Sequence, residues 1–393
     1  MTPLTHRTRV ALVLNDDFSM YHFFGGHVSE LVSRGFTVFV VTPNGSHVPR
    51  LQALGAIHIP VKFERFVSPI ADLRALWKLA RVFSANDVSI VCNITVKPII
   101  LGSIAARLAR VPRVVGMVEG LGYVFESSKS WRRKALRALV RALYRVGCTL
   151  SDRIGFANTE DRDFFVASGI IALDKTVAFR SMIGVDINEW CSEAVVDRTA
   201  CDIVRDSANL KPGQVIITMA SRVIWSKGVR EFVEAAKLVT ARFPHVRFLL
   251  AGGLDPESTE AVPEEYLRQN VDHQFRWIGF CDHIRELLYL SDVVVLPSYY
   301  REGVPRILLE GLAMGKPIVT TDNVGCRETV EPGTNGFLVP PRDTKALAGV
   351  LCRIVEDDQL RCGLGRQSRV IAERDFDQRT IIARVLSEVW AIS

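Results

Sequence analysis

Long apolar runs and paired cysteines are both missing from this 393-residue sequence. Because no stretch of about 18 apolar residues occurs, the sequence predicts no transmembrane helix. The first nine residues lack the apolar core of a signal peptide. The eight cysteines are scattered without a C-x-x-C pair. This pattern predicts buried, reduced thiols in a cytoplasmic protein rather than disulfides or a zinc site.

Common phosphate and metal motifs are also missing. There is no G-x-G-x-x-G fingerprint, and residues 311–316 end in Gly-Lys without the spacing of a P-loop. Two D-x-D strings, 161–163 and 375–377, resemble divalent metal sites in sequence. Both fall in or beside predicted helices, so we interpret them as structural carboxylates and expect no metal.

The composition is that of a globular protein, with 48% apolar and 23% charged residues. Apolar strands such as Val10–Leu14 alternate with helices, which predicts a doubly wound parallel sheet. A polar stretch, 186–214, precedes a second series of the same kind. The sequence therefore predicts two Rossmann-like domains facing a cleft, residues 1–185 and 186–375, with the last helix (376–393) packed back on the first.

Residues 291–321 are the most informative stretch, because they predict strand, loop, helix, loop and strand in succession. Glu302 closes the first loop, and Pro305 suits the first turn of the helix Arg306–Met314. Glu310 lies about one turn inside this helix and leans toward its N-terminus. The N–H groups between the two acids form an anion site, which suits a ligand that is part phosphate and part polyhydroxyl. The alternative is an ordinary crossover with a surface glutamate.

Two cations follow the first strand of the second domain. Arg222 comes just after the strand Val215–Ala220, and Lys227 precedes the next helix. A guanidinium with forked hydrogen bonds and an ammonium point charge could together neutralise a diphosphate. Alone, such a pair is more often solvated, but the two glutamates in the same sheet favour a ligand site.

This combination resembles the retaining glycosyltransferases of GT-B architecture, family 4, over nearly the whole chain. The acid pair E-x7-E stands at Glu302 and Glu310, with Arg222 and Lys227 upstream. More closely, the chain is similar to bacterial enzymes that build surface glycans on polyprenyl-diphosphate carriers. Supporting stretches are 93–98, 119–125, 158–165 and 184–186.

The resemblance implies a role for each motif residue. Arg222 and Lys227 would hold the diphosphate of a nucleotide-sugar and stabilise its charge as it leaves. Glu310 would accept hydrogen bonds from the ribose, and Glu302 would bind the transferred sugar. Pro305, where many relatives have glycine, leaves the local backbone path open. Further donor contacts would come from Gly303, Arg306, Ile307, Gly279 and Phe280.

The implied reaction is transfer of a sugar with retention of configuration, without a metal. We expect a UDP-linked donor, carrying for example an N-acetylhexosamine or a hexuronic acid, and a polyprenyl-diphosphate-linked saccharide as acceptor. The alternatives are a nucleotide-sugar epimerase of the same fold and a non-catalytic nucleotide-sugar-binding partner in a glycan assembly complex. The four intact polar residues argue against the non-catalytic alternative.

Two features of the first domain are less specific. Glu119 ends a predicted strand and is a candidate catalytic residue on the acceptor side; a polar strand cap is the alternative. The first loop is predicted at Asn15–Gly26, before a helix at His27–Arg34. Its Gly25-Gly26 pair would approach the diphosphate, since only glycine lets backbone come that close; a simple turn is the alternative.

The segment Trp131–Arg145 contains six basic residues and no acid. Its apolar stripe is predicted at Leu136, Leu139, Val140 and Leu143, with five arginines largely off it: Arg132, Arg133, Arg137, Arg141 and Arg145. We predict a helix that docks the protein peripherally on the anionic cytoplasmic face of the inner membrane. A core-facing helix with a solvated basic face is the alternative. Because interleaved aromatics are missing, we expect no nucleic-acid partner.

Overall fold

The computed structural model describes residues 8–64, 68–120, 131–190 and 196–392, with backbone alone for 131–136. Contacts between Cα atoms divide the chain into two units. The first comprises Met1–Gly184 with Gln378–Ser393, and the second Val185–Asp377. Each unit contains one parallel sheet with connecting helices, which confirms the predicted α/β fold class.

In the described ranges, seven strands form the sheet of the first unit: β1 (Arg9–Val13), β2 (Thr37–Thr42), β3 (Ile57–Pro60), β4 (Ile90–Ile94), β5 (Arg113–Val118), β6 (Arg153–Phe156) and β7 (Thr176–Ala178). Their order is β3-β2-β1-β4-β5-β6-β7, and neighbouring strands are parallel. The helices are α1 (Asp17–Ser33), α2 (Val48–Ala53), α3 (Pro69–Ala85), α4 (Ser103–Leu108), α5 (Trp131–Leu150) and α6 (Thr159–Ala167).

The second unit has six strands in the described ranges: β8 (Val215–Ala220), β9 (Val246–Ala251), β10 (Phe275–Trp277), β11 (Val293–Leu296), β12 (Ile318–Thr321) and β13 (Gly336–Val339). Their order is β10-β9-β8-β11-β12-β13. The helices are α7 (Arg198–Ala208), α8 (Val229–Arg242), α9 (Glu264–Asn270), α10 (Ile284–Leu290), α11 (Arg306–Ala313), α12 (Thr344–Glu356) and α13 (Asp358–Asp375). The last helix, α14 (Gln378–Val385), and the π-helical turn Leu386–Trp390 belong to the first unit.

Both sheets place a reversal of strand order beside their first strand. In the first unit β1 lies between β2 and β4, and in the second β8 lies between β9 and β11. Loops that leave the carboxyl ends of two strands at such a reversal diverge to opposite faces of the sheet. This is where open α/β sheets bind their ligands. The residues after β8 and β11, and those after β1 and β4, are therefore the positions to inspect for a site.

Helix α1 begins about ten residues earlier than predicted. The Asp16 carboxylate caps it by accepting a hydrogen bond from the Ser19 backbone N–H at 2.6 Å. Gly25 and Gly26 therefore lie inside the helix, so the prediction that they belong to a loop is wrong. A Cβ on Gly26 would come within 2.7 Å of the Gln378 side chain, so this glycine permits close packing of α14.

Smaller differences concern element ends. The helix that the sequence predicts at Ile100–Arg110 is found as a π-helical turn, Pro98–Gly102, that runs directly into α4. Strand β13 was not predicted, because its short Gly-Phe-Leu-Val sequence follows a glycine-rich turn. Of the seven cysteines in the described ranges, four are buried, as predicted, whereas Cys281 and Cys352 are partly buried and Cys362 is exposed; Cys191 lies outside these ranges.

Candidate active site

Lys227 and Glu302 meet at the strand-order reversal of the second unit. Lys227 ends a 3₁₀ turn after β8, and Glu302 lies in the loop after β11, the neighbouring strand. The Lys227 Nζ lies 2.5 Å from Glu302 Oε1, and the two side chains are 12% and 10% exposed. An ammonium has three donors, so one bond to Glu302 leaves two for another anion.

Ser298 fixes this pair, although the sequence analysis did not single it out. Its buried Oγ donates to Glu302 Oε1 at 2.8 Å. The Ser226 carbonyl accepts hydrogen bonds from the backbone N–H of Tyr299 and of Tyr300, at 2.8 and 3.0 Å. The loop after β11 is therefore bonded to the turn after β8. The signal that could have revealed Ser298 is its place two residues beyond a buried strand.

Two glycines allow these loops to approach. Gly228 has φ +84°, and a Cβ there would lie 2.2 Å from the Pro297 carbonyl oxygen. Gly325, after β12, has φ +77°, and a Cβ there would lie 1.3 Å from the Gly303 oxygen and 2.8 Å from the Glu302 oxygen. Gly325 thus supports the backbone that carries Glu302, and no side chain fits in its place.

Gly325→Ala should destabilise the second unit by about 3 kcal/mol, because strain at positive φ adds to the clash with Gly303. Gly333→Ala is a matched control, since Gly333 has φ +80° and no described heavy atom within 4 Å of its built Cβ. It should cost about 1 kcal/mol from backbone strain alone. Chemical denaturation of both variants measures the difference. Equal losses would show that the approach to Gly303 is relaxed at no cost.

Glu310 forms an ion pair with a residue at the N-terminal end of its own helix, α11. Its Oε1 lies 2.7 Å from Nε of Arg306, one turn earlier. Burial raises the pKa of Glu310, and the Arg306 charge opposes that rise. Ile307 lies in the same first turn, whose N–H groups have no acceptor within the helix. Pro305 stands just before α11 as its N-cap, rather than within it. The predicted donor residues Arg306, Ile307 and Glu310 thus share one helix end.

Arg222 contacts a different partner. Its Nη1 lies 3.1 Å from Oδ2 of Asp255, and its side chain is 51% exposed. Gly279 lies just beyond β10, with its carbonyl accepting the Gly252 N–H at 2.7 Å, and Phe280 is 64% exposed. These three residues stay near the carboxyl ends of the sheet, but no described hydrogen bond or ion pair joins them to Lys227 or Glu302.

Glu119 of the first unit carries an unpartnered oxygen. It follows β5, and its Oε1 is buried with no hydrogen-bond partner among the described residues. Burial raises the pKa of Glu119 to about 8. Beyond the neighbouring strand β4, Thr95 has φ +72° and donates to Asn15 Oδ1 at 3.3 Å. A strained β-branched residue and an unpaired carboxyl at adjacent strand ends are typical of functional sites.

Two family models match the chain. Residues 214–357 match "Glycosyl transferases group 1", and residues 9–155 match "Glycosyl transferase 4-like". A Campylobacter jejuni N,N'-diacetylbacillosaminyl-diphospho-undecaprenol alpha-1,3-N-acetylgalactosaminyltransferase is 27% identical over 379 residues, covering 96% of this chain and 97% of that one. An Escherichia coli UDP-Gal:alpha-D-GlcNAc-diphosphoundecaprenol alpha-1,3-galactosyltransferase is 28% identical over 75% of this chain and 74% of its own.

A solved structure with bound UDP shares the fold of this chain. The crystal structure of Anabaena HepE in complex with UDP and glucose superposes with a TM-score of 0.79 at 18% identity, covering 98% of this chain and all of that one. By its two family models the chain belongs to the glycosyltransferases, and its fold is GT-B. The predicted family and the predicted hexosyltransferase activity are thereby confirmed.

Helix α5 of the glycosyltransferase packs its core with a side that the predicted apolar stripe only partly includes. Val140, Tyr144 and Cys148 pack into the core, whereas Leu139 and Leu143 are 49% and 38% exposed. The predicted apolar stripe therefore lies largely on the solvent side. Arg141 and Arg145 are exposed beside it, and Arg137 is half-buried. The side chains of Arg132, Arg133 and Leu136 lie outside the described residues.

Other features of the glycosyltransferase bear on metal and membrane. Asp161 is buried and accepts a hydrogen bond from Asn158 Nδ2 at 3.1 Å, and Asp375 pairs with Arg374. Neither carboxylate belongs to a group of three metal-ligating side chains in the described part of the chain. In the same ranges, we find no helix with the length and hydropathy needed to span a bilayer.

Proposed function

We propose that this glycosyltransferase transfers a hexosyl group, with retention, from a UDP-sugar to a polyprenyl-diphosphate-linked saccharide in bacterial surface glycan synthesis. The observation that carries the proposal is the buried Lys227–Glu302 pair at the strand-order reversal of a GT-B glycosyltransferase. The names of the two relatives support the acceptor class, and the UDP in the Anabaena complex supports the donor.

The site's charges suit departure of a diphosphate. Breaking the anomeric C–O bond leaves negative charge on the diphosphate, which the two remaining donors of Lys227 would stabilise without rearrangement. Arg222 uses one of its five donors on Asp255, so its guanidinium can also bind phosphate. These cations would supply the positive charge themselves, which is the basis for proposing a metal-independent reaction.

The polar groups around the cations would position the sugar nucleotide. The second oxygen of Glu302 would accept a hydroxyl of the transferred sugar, for which we propose an N-acetylhexosamine or a hexuronic acid. Glu310 would bind the ribose, while the first N–H groups of α11 meet phosphate. With a phosphate oxygen taking the acceptor's proton, retention needs no strong protein base.

The first unit would serve the acceptor. Glu119 is proposed as an acceptor-side residue, because its buried Oε1 has no hydrogen-bond partner among the described residues and lies at the end of β5, the strand next to β4. We further propose that α5 docks on the cytoplasmic face of the inner membrane, since Arg141 and Arg145 accompany exposed leucines there. This docking brings a peripheral enzyme to its lipid-linked acceptor.

Thermal unfolding with a panel of nucleotides tests the donor. UDP at about a hundred times its dissociation constant should stabilise the parent protein by roughly 2.7 kcal/mol, a rise of a few degrees in Tm. Lys227→Ala should lose most of this rise. Lys237→Ala, which removes an exposed lysine from α8 paired with Glu234, should keep it. A larger rise with another nucleotide would contradict the UDP assignment.

Product analysis tests the reaction. The protein, a panel of UDP-sugars and a polyprenyl-diphosphate-linked saccharide should give an elongated lipid-linked product with the donor's anomeric configuration, read by NMR. Conversion of the sugar nucleotide without acceptor would identify an epimerase instead. Donor binding with no turnover in either assay would favour the non-catalytic alternative.

A further inference from the structure

Helix α3 presents large apolar side chains to solvent. Ile70, Leu73 and Trp77 are 70%, 56% and 59% exposed and recur at intervals of three and four, so they lie on one side of the helix. The opposite side of α3 packs into the core, where Leu79 and Phe83 are buried. The exposed three therefore form a second apolar stripe that the fold itself does not use.

The same side of α3 is basic. Arg74, Lys78 and Arg81 are exposed, and none forms an ion pair with a residue in the described part of the chain. Asp72 is the one acid of the helix, and it forms an ion pair with Lys97 at 2.6 Å between Nζ and Oδ1. The solvent-facing surface of α3 thus combines apolar and cationic groups without a compensating carboxylate.

This surface continues over the neighbouring helices. Helix α4 packs against both α3 and α5, so the three helices share one face of the sheet. Leu108 of α4 is 56% exposed, and α5 adds exposed Leu139 and Leu143 beside Arg141 and Arg145. We call the outward side of α3, α4 and α5 the basic layer.

We infer that the basic layer binds the surface of an anionic phospholipid bilayer, with Ile70, Leu73 and Trp77 inserted at the boundary of headgroups and acyl chains. This extends the docking proposed for α5 and assigns the principal apolar anchor to α3. Tryptophan favours that boundary, while arginine and lysine pair with lipid phosphates. A second copy of the chain fits less well, because two cationic surfaces would repel each other.

Sedimentation with vesicles tests the inference. The parent protein should bind mixed phosphatidylcholine–phosphatidylglycerol vesicles and not vesicles of phosphatidylcholine alone. Replacing Ile70, Leu73 and Trp77 together by glutamine should weaken binding at least ten-fold, because their apolar groups would no longer be buried in the bilayer. The matched control replaces three similarly exposed residues of the second unit by glutamine and should bind normally: Ile203, Leu238 and Val370.

The charges are tested separately. Replacing Arg74, Lys78 and Arg81 by glutamine should weaken binding roughly a hundred-fold at low salt, at about 1 kcal/mol per cation, and should reduce its salt dependence. Normal vesicle binding by both triple variants would overturn the inference. So would a parent dimer, detected by sedimentation velocity, that the apolar triple variant loses, because the occupant would then be a second copy.

This test is independent of the transferase proposal, since vesicle binding requires no turnover. With an acceptor analogue of short, water-soluble lipid chain, both triple variants should match the parent. Vesicle binding without any transfer would refute the proposed function and leave the basic layer intact. Transfer by the parent together with unaltered vesicle binding by the variants would refute the basic layer and leave the proposed function intact.

Discussion

Replacing Glu302 by glutamine should lower kcat by about a hundred- to a thousand-fold, a loss typical of removing one charged group that acts on the transition state. The amide keeps the size of the side chain and an oxygen for Ser298 and Lys227. What it removes is the negative charge that holds the Lys227 ammonium in place and the acceptor proposed for a sugar hydroxyl. The fold should therefore survive while turnover does not.

Stability separates this result from simple unfolding. Glu302 and Lys227 are about nine-tenths buried, so losing one charge leaves the other poorly compensated, and we expect a loss of about 2 kcal/mol. Glu356→Gln is the matched control, because its ion pair with Arg242 has both side chains 58% exposed. It should change kcat less than two-fold and stability by less than about 1 kcal/mol.

Steady-state kinetics and chemical denaturation of both variants measure these effects. A Glu302→Gln enzyme with near-normal kcat would contradict the catalytic role proposed for Glu302, even if its stability fell as expected. A rise in donor KM with kcat unchanged would mean that Glu302 contributes equally to substrate and transition state, and so serves binding alone.

The parts of the fold that the sequence predicted well are those where one local signal dominates. The buried parallel strands are continuous apolar runs, and β11 was predicted with its observed bounds, Val293–Leu296. The sequence also predicts helices at Ile284–Leu290 and Thr344–Glu356, and α10 and α12 have these bounds. In each, polar residues flank an apolar repeat of helical period, so packing and propensity agree.

The errors arise where two signals compete. Gly25-Gly26 looked like a loop because glycine weakens helices, yet the Asp16 cap and packing against α14 keep α1 continuous. On α5, sequence periodicity could not say which of two overlapping apolar stripes faces the sheet. Tyr144 and Cys148 fill the core, which leaves Leu139 and Leu143 outside. Amphipathicity alone does not separate a core stripe from a docking stripe.

The candidate site shows the same division. Its charged residues were predictable, since Arg222, Lys227, Glu302 and Glu310 follow strands or begin helices in a recognisable pattern. The contacts that orient them were not. Ser298 lies in a loop whose backbone N–H groups bond to the Ser226 carbonyl, and Gly325 lies against Gly303. Both contacts join segments more than twenty residues apart, which no local pattern encodes. Conversely, the placement of Arg222 on Asp255 shows that two adjacent cations need not share one partner.

Glu119→Gln should stabilise the protein at neutral pH. Burial raises the pKa of this carboxyl from 4.5 to about 8, so between these values the folded state holds a proton that the unfolded state releases. The stability contributed by Glu119 is therefore fully present below pH 4.5 and is lost as pH rises through 8. Glutamine keeps the neutral form at every pH and should avoid this loss.

The size of the effect follows from the shift in pKa. At about 1.4 kcal/mol per pH unit, the free energy of unfolding of the variant should exceed that of the parent by at most about 3.5 kcal/mol at pH 7, by little at pH 4.5, and by somewhat more above pH 8. Water reaching the partly exposed residue lowers these values. Denaturant titrations at several pH values measure the difference. Glu30→Gln on α1, where the Glu30 side chain is 39% exposed and pairs with Arg34, should stay within about 0.5 kcal/mol of the parent.

Because His27 also titrates, the effect of Glu119 is best seen in the difference between the free energies of unfolding of the variant and the parent. Burial lowers the pKa of His27 to about 4, so it favours the folded state increasingly as pH rises from 4 to 6.5, opposite in sign to Glu119. Both proteins share this contribution, which cancels when one curve is subtracted from the other. The subtracted curve should therefore rise steadily from pH 4.5 to 8.

The activity of the same variant decides why the chain keeps a destabilising carboxyl. If Glu119 acts on the acceptor side, Glu119→Gln should lose transfer while UDP still raises its Tm as in the parent. Greater stability with lower activity is the expected signature of a group retained for function. A variant that is no more stable than the parent at pH 7 would contradict the raised pKa that burial gives Glu119. A more stable and fully active variant would reduce Glu119 to a polar strand cap.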